Sequence, residues 1–309
     1  CGMIGHGDLG YNAVKVDVAA ARAAWQPLAD RLAITVEQTA ETAIELAISS
    51  MYGDTSGLLS RFGLDPREFW FLAFGGAGPM MGCFLARELN MKGVIVPPTP
   101  GVLSALGGLV ADIRNDFIRT LYSDLDATLA DSLATEADAL SQRARHWLSE
   151  QHGAHMPFTL HYSADMRYRG QSFEIEVALE PEWLARANVS ALHAAFDRQH
   201  QQLFGHFDAS APVQIINLRL VIASPTPKPT LNTLAAASAP VAVLKQVSAW
   251  IDGASHQVDV VLRASLAAGH HLSGPVIIAQ DDCTTCVPPG MQVEVDSFGN
   301  LLITPVEAN

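Results

Sequence analysis

Three clusters in the sequence carry residue types able to do chemistry. The first is Gly75-Gly76-Ala77-Gly78-Pro79, which follows the apolar run Phe69–Phe74. Glycines remove the Cβ atoms that block close backbone approach. Free amides at a helix start favour an anion or the polar edge of a ligand. The turn is not a P-loop, because no Gly-Lys-Ser/Thr follows it. It is not the dinucleotide fingerprint, because the third glycine is misplaced and no acidic residue ends a second strand. A plain tight turn between strand and helix would use the same spacing. The second cluster is Arg167-x-Arg169-Gly170-Gln171, continuing to Glu176. Arginine forks bind carboxylate or phosphate in bidentate fashion, so substrate or a partner surface is one reading. A salt-bridged hairpin is the other. The third cluster, Cys283-Thr284-Thr285-Cys286, has metal or redox spacing. A closed zinc site needs four ligands and no second C-x-x-C exists, so no metal site is assigned. His270 and His271 are near in sequence. His152 and His155 read as surface residues. His193 and His200 lie seven apart, two helical turns, which is too far for one ion. Asp112, Arg114 and Asp116 read either as solvated charges or as residues at an interface.

The elements that must position these groups can be read in order. Gly2, Gly5, Gly7 and Gly10 mark an opening loop. Asp17 offers an N-cap for an alanine-rich helix from Val18, expected to end or kink before Pro27. Thr35 and Gln38 have capping-box spacing and open a second helix, expected to run to about Phe62 with a break at Gly53. Phe69–Phe74 reads as a strand buried on both faces. A helix over Met80–Leu89 and a strand over Gly93–Val96 complete a βαβ pattern. Pro97–Gly101 is a rigid loop, and Val102–Ile113 a helix of small residues. A helix over about Leu125–Gln151 follows. Strands are expected over Phe158–Tyr168, Gln171–Leu179 and Val213–Ala223, with a helix over Val189–Leu203. Ser224–Ala239 is a Pro/Ser/Ala linker. Five short strands then read as an all-β barrel or sandwich. The expected divisions are 1–123, 124–223, a linker at 224–240, and a β-rich module at 241–309.

The 309 residues are 49% hydrophobic and 17% charged, with a mean hydropathy of +0.18, which excludes disorder for the bulk of the chain. Nineteen Lys and Arg against 32 Asp and Glu give −13 at pH 7, with no concentrated basic face for nucleic acid or anionic lipid. Prolines and glycines interrupt the apolar stretch Gly93–Val110, so no spanning helix is expected. Four cysteines and no signal sequence point to the reducing cytoplasm. The first residue is Cys1, which fits a trimmed, processed or partial chain.

Beyond composition, ordered blocks resemble the hydantoinase A/5-oxoprolinase family, whose superfamily also holds acetone and acetophenone carboxylase subunits. The blocks are Phe71–Thr120, Arg167–Ile175, Leu203–His206 with Ile216–Arg219, Gly274–Gln280, Asp282–Thr285, Val287–Gly290 and Phe298–Asn300. The resemblance implies an α/β fold, the C-terminal part of an actin/sugar-kinase-like ATPase lobe, plus a β-rich C-terminal module. It implies that Gly75, Gly76, Ala77, Gly78 and Pro79 lie against the adenosine of ATP. The helix from Val102 resembles one that packs between two lobes during closure. Members are usually about twice this length. Their first half holds D-x-G phosphate hairpins and the carboxylates associated with Mg²⁺, and no such hairpin is expected at a strand turn here. The chain thus reads as a C-terminal half, inactive alone. It would work in a hetero-oligomer with an N-terminal ATPase half and a hydantoinase B-like subunit. The implied reaction is ATP-dependent hydrolysis of a small cyclic amide. An ATP-dependent ketone carboxylase and a non-catalytic half-subunit are the alternatives.

Overall fold

Local capping chemistry sets the first helices in the computed structural model, which describes residues 1–5, 8–9, 14–153, 155–230 and 232–306. Gly7 and Gly10 of the expected opening loop lie outside the described residues. Two short strands, β1 (Asp8–Leu9) and β2 (Val14–Lys15), pair antiparallel. This corrects the expectation of loop there. The sequence does hold one D-x-G triplet, Asp8-Leu9-Gly10, of which Asp8 and Leu9 form β1 and Gly10 lies outside the described residues.

Helix α1 (Val18–Leu32) starts where the Asp17 side chain accepts the Ala20 amide at 2.9 Å. It runs through Pro27 instead of ending there. The proline deprives only the Ala23 carbonyl of a partner, and Ala23 is exposed, so water can satisfy it. Helix α2 (Val36–Arg61) has both bonds of the capping box, Gln38 N–H to Thr35 Oγ1 and Thr35 N–H to Gln38 Oε1. It continues unbroken through Gly53.

Strand β3 (Trp70–Leu72), helix α3 (Gly78–Glu88) and strand β4 (Gly93–Val96) form the βαβ unit, with β3 parallel to β4. Contrary to expectation, β3 is not buried on both faces: Trp70 is 39% and Leu72 47% exposed. The reason is its place. It is the edge strand of its sheet, and α3 covers one face only. Helix α4 (Leu103–Val110) is shorter than expected and contains no buried residue.

The chain divides into two compact units, residues 1–109 with 229–309, and residues 110–228. The second begins with β5 (Ile113–Asp124), which replaces the expected helix end and carries Arg114 and Asp116 on a strand. Helix α5 (Ala127–His152), strands β6 (Thr159–Tyr168) and β7 (Ile175–Leu179), helices α6 (Pro181–Ala185) and α7 (Val189–Phe204), and strand β8 (Val213–Ser224) follow. The sheet runs β5-β8-β6-β7, all antiparallel. Leu133, Leu140, Ala144 and Leu148 share one face of α5 and pack with Phe196 of α7 on Met166, Ile215, Leu218 and Leu220 of the sheet. At about 25 cal/mol per Å² of apolar surface removed from water, such a cluster is the main stabilising term of this unit.

The last strands return to the first unit. They are β9 (Val243–Ile251), β10 (Ala254–Leu262), β11 (His271–Ser273), β12 (Val276–Ala279), β13 (Thr284–Val287), β14 (Met291–Val295) and β15 (Leu301–Pro305). Four form one sheet in the order β13-β12-β10-β9. The others extend the first, in the order β11-β14-β15-β4-β3. Residues 241–309 therefore do not close a barrel of their own. β15 pairs antiparallel with β4, Leu302 opposite Ile95, so the end of the chain completes the sheet that carries the glycine turn. Val94, Val96, Val293, Leu301 and Ile303 are buried together with Cys83 and Ala86 of α3.

Candidate functional site

The glycine turn lies where β3 gives way to α3. Ala73, fully buried, still follows the sheet and donates its N–H to Ile95 O at 2.9 Å. Gly75 then takes φ +81°, a conformation that a Cβ would strain, and donates its N–H to Pro100 O at 2.8 Å. Gly78 opens the helix and Pro79 sits in its first turn, where a missing N–H is tolerated. Ala77 stands at the N-cap, so no side chain caps the helix; Pro79 has no N–H and the Met80 N–H donates to Ala77 O at 3.2 Å, which leaves the Gly78 N–H available among the first three positions. A Cβ added at Gly75 or Gly76 would meet nothing within 4 Å. Space over the turn is open, as a ligand lying against the backbone requires. Gly82, one turn into α3, serves packing instead: its Cβ would come within 2.9 Å of Ala73 Cβ.

Exposed apolar side chains lie on the segments before and after this turn. Phe74 is 45% exposed beside it, and on α4 Leu109 is 82% exposed. Gly107 and Gly108 of α4 also face open space. An apolar edge strand and a small-residue helix with no buried residue are surfaces for another element to cover.

The arginine cluster lies in the second unit and is bonded to other strands of the same sheet. Arg169 forms a two-pronged pair with Asp124, with Nε at 3.1 Å from Oδ1. Gln214 Nε2 donates to the same carboxylate at 3.0 Å, and Gln214 Oε1 accepts from Arg167 Nε at 3.3 Å. Arg167 also donates to Tyr122 OH at 3.1 Å, with its guanidinium over that ring. Gln171 Oε1 accepts the Tyr168 N–H at 3.0 Å and closes the hairpin. The bonds from Arg169 and Gln214 hold the Asp124 carboxyl below the usual range. Arg167 and Arg169 thus bond across the sheet to β5 and β8, and Gln171 bonds within the hairpin. At the hairpin tip Phe173 is 85% exposed. Asp112 accepts from Lys228 Nζ at 2.6 Å and from Thr226 N–H at 3.1 Å, tying the start of this unit to its end. Arg114 pairs with Asp116 on the exposed strand.

Cys83, Cys283 and Cys286 are buried, and burial pushes the thiols of Cys283 and Cys286 up to about 12. Metal ligation needs the thiolate, so these residues act as small apolar fillers. His270 uses both ring nitrogens: Nδ1 accepts from Ala267 N–H at 3.0 Å, and Nε2 lies 2.8 Å from Ala239 O. His193 faces Asp197 and His200 faces His206 O. Among the described residues no group of three or more His, Cys, Asp or Glu is placed to hold a metal.

Sequence reasoning missed three side chains next to the glycine turn. Arg263, Gln280 and Asp282 all bond the loop 97–101 behind it. The available signal was slight. Arg263 is one of only two cations in residues 241–309, the other being Lys245.

Comparison with known proteins bears on the same elements. Over 290 residues the chain is 28% identical to the caprolactamase subunit alpha of Pseudomonas jessenii, covering 90% of this chain and 41% of that protein. It is 27% identical over 294 residues to the acetone carboxylase beta subunit of Xanthobacter autotrophicus, covering 87% of this chain and 40% of that one. The crystal structure of the ATP-dependent caprolactamase from P. jessenii matches with a TM-score of 0.80 at 27% identity, over 99% of this chain and 45% of that chain. The chain thus spans less than half the length of these relatives. No helix among the described residues is long and apolar enough to cross a membrane. The hydantoinase/oxoprolinase family model matches residues 1–117, and the model of the family's C-terminal domain matches residues 122–303. Matched in this way over nearly its whole described length, the chain belongs to the hydantoinase/oxoprolinase family.

Proposed function

We propose that this chain is the C-terminal half of an enzyme that uses ATP to activate a cyclic amide, a hydantoin, 5-oxoproline or a lactam, for hydrolysis. Ring amides resist water because resonance feeds the carbonyl carbon. ATP would supply the phosphoryl group that makes the amide oxygen a competent leaving group. The part of this chain is to bind and orient. The Gly75–Pro79 turn presents backbone amides and a Cβ-free surface to the adenosine. The uncapped N-terminus of α3 adds the favourable end of a helix dipole.

The observation that carries this reading is the open glycine turn on an edge strand whose outer face is apolar and exposed. That edge suits a lobe completed by an N-terminal ATPase half, in the same polypeptide or a separate chain. Carboxylates for Mg²⁺ would come mostly from there, since the described residues hold no such group. A hydantoinase B-like subunit would complete the hetero-oligomer. The likeness to the P. jessenii caprolactamase supports a lactam-type substrate. The match to an acetone carboxylase beta subunit supports a second reading, ATP-dependent carboxylation of a ketone.

Assays of product separate the two. Incubated with the chains that copurify with it, the protein is expected to open a cyclic amide with ATP and without bicarbonate. A product formed only with bicarbonate would establish the carboxylase instead. The chain alone is expected to show no magnesium-dependent ATP hydrolysis, because phosphoryl transfer depends on metal and phosphate positioning. A robust rate from the chain alone would contradict the half-enzyme reading. It would also direct attention to Asp8 of β1.

A further inference from the structure

The loop behind the glycine turn is held by side chains from the far end of the chain. Residues 97–101 read Pro-Pro-Thr-Pro-Gly, so three of the five have no N–H to offer and their carbonyls depend on outside donors. Arg263 Nη2 donates to the carbonyls of Val96 at 3.2 Å, Pro97 at 3.3 Å and Gly299 at 2.5 Å. Gln280 Nε2 donates to Pro98 O at 2.7 Å. Asp282 Oδ2 accepts the Gly101 N–H at 2.9 Å. Position 101 must be glycine for that approach, since a Cβ there would lie 2.6 Å from the same carboxylate oxygen. On its other side the loop gives its Pro100 carbonyl to the N–H of Gly75.

These bonds exceed what packing needs. Arg263 is a mostly buried cation, and burial lowers its guanidinium to about 10, so it stays charged at neutral pH. Its Nη1 and the Oδ1 of Asp282 are buried without a hydrogen-bond partner among the described residues. Unpaired buried polar atoms are destabilising, and an apolar filler would avoid them. Such a filler could not fix the direction of the loop carbonyls.

We propose that Arg263, Gln280 and Asp282 are positioning residues that hold loop 97–101 and, through the Pro100 carbonyl, fix the Gly75-Gly76 turn in its ligand-binding conformation. The consequence for nucleotide rests on the adenosine reading given above; the hold on the turn does not.

The test separates the two. Amide exchange in a peptide spanning residues 73–82 is followed by mass spectrometry in the full 309-residue chain. Asp282→Ala is expected to raise exchange there about tenfold, with exchange in α5 unchanged. Asp282→Asn, which keeps an acceptor oxygen for Gly101, is expected to restore the native rate. Should Asp282→Ala fail to fold, Gln280→Ala removes only the bond to Pro98 and is expected to give a smaller rise in the same peptide. Native exchange in both alanine variants would overturn the proposal, as would a rise spread evenly over the chain. Affinity for Mg·ATP is then measured with the variants in the assembled complex. A loss that follows the exchange change supports the link to nucleotide. Faster exchange with unchanged affinity would leave the hold in place and remove the adenosine reading.

Discussion

Gly76→Val is expected to abolish nucleotide binding by the assembled enzyme while leaving the chain folded. The φ of Gly76 is not in the left-handed region, and a Cβ built on it meets nothing within 4 Å. Valine is therefore tolerated by the protein itself. Its two methyl groups would occupy the space in which the adenosine is proposed to lie. The expected effect is a rise in the Kd for Mg·ATP of at least about 100-fold, roughly 2.7 kcal/mol. The neighbouring substitution would be a poorer test. Gly75 has φ +81°, so valine there would strain the backbone and confound binding with folding. Calorimetric titration of Gly76→Val, beside thermal melting of the same sample, separates the two effects. Native affinity in a folded variant would remove the turn from the nucleotide site.

Gly93→Ala is expected to destabilise the first unit by about 3 kcal/mol or more, the upper range for overpacking, or to prevent its folding. A Cβ at this position would lie 2.5 Å from the Ile303 carbonyl oxygen and 2.7 Å from the Trp70 ring. One contact is backbone, in the strand from the end of the chain, and the other is a large side chain on β3. Neither can withdraw without opening the sheet that joins β3, β4 and β15. Gly107→Ala is the matched control. It lies in α4 with nothing within 4 Å, so alanine should be neutral or stabilising by about 0.5–1 kcal/mol. Urea unfolding followed separately for the two units is the measurement. Similar midpoints for both variants would mean that residues 291–305 do not pair as described.

What the sequence revealed follows the range of the interaction. The capping box of Thr35 and Gln38 and the N-cap at Asp17 act within three residues, and both were legible. The glycine turn was legible for the same reason, since strand, turn and helix are adjacent. Pro27 misled because propensity ignores the neighbouring helix and the solvent that support α1. The apolar run at Phe69 predicted a strand correctly but could not say that β3 stands at an edge. Strand β5 escaped notice because its alternation is broken: a bulge between Thr120 and Ser123 holds Tyr122 at φ +47°, and its outer face is charged. Least legible was the support of the site. Gly101 and Asp282 are 181 residues apart, and Val96 and Arg263 are 167 apart, so no local pattern links them.

The Gly75–Pro79 turn is proposed to lie against the adenosine of ATP. Photolabelling of the assembled complex with 8-azido-ATP, followed by tryptic peptide mapping, tests it directly. Label that ATP competes away is predicted in the peptide bounded by Arg67 and Arg87, which contains the turn. ATP-protected label confined to other peptides, with none in this one, would contradict it.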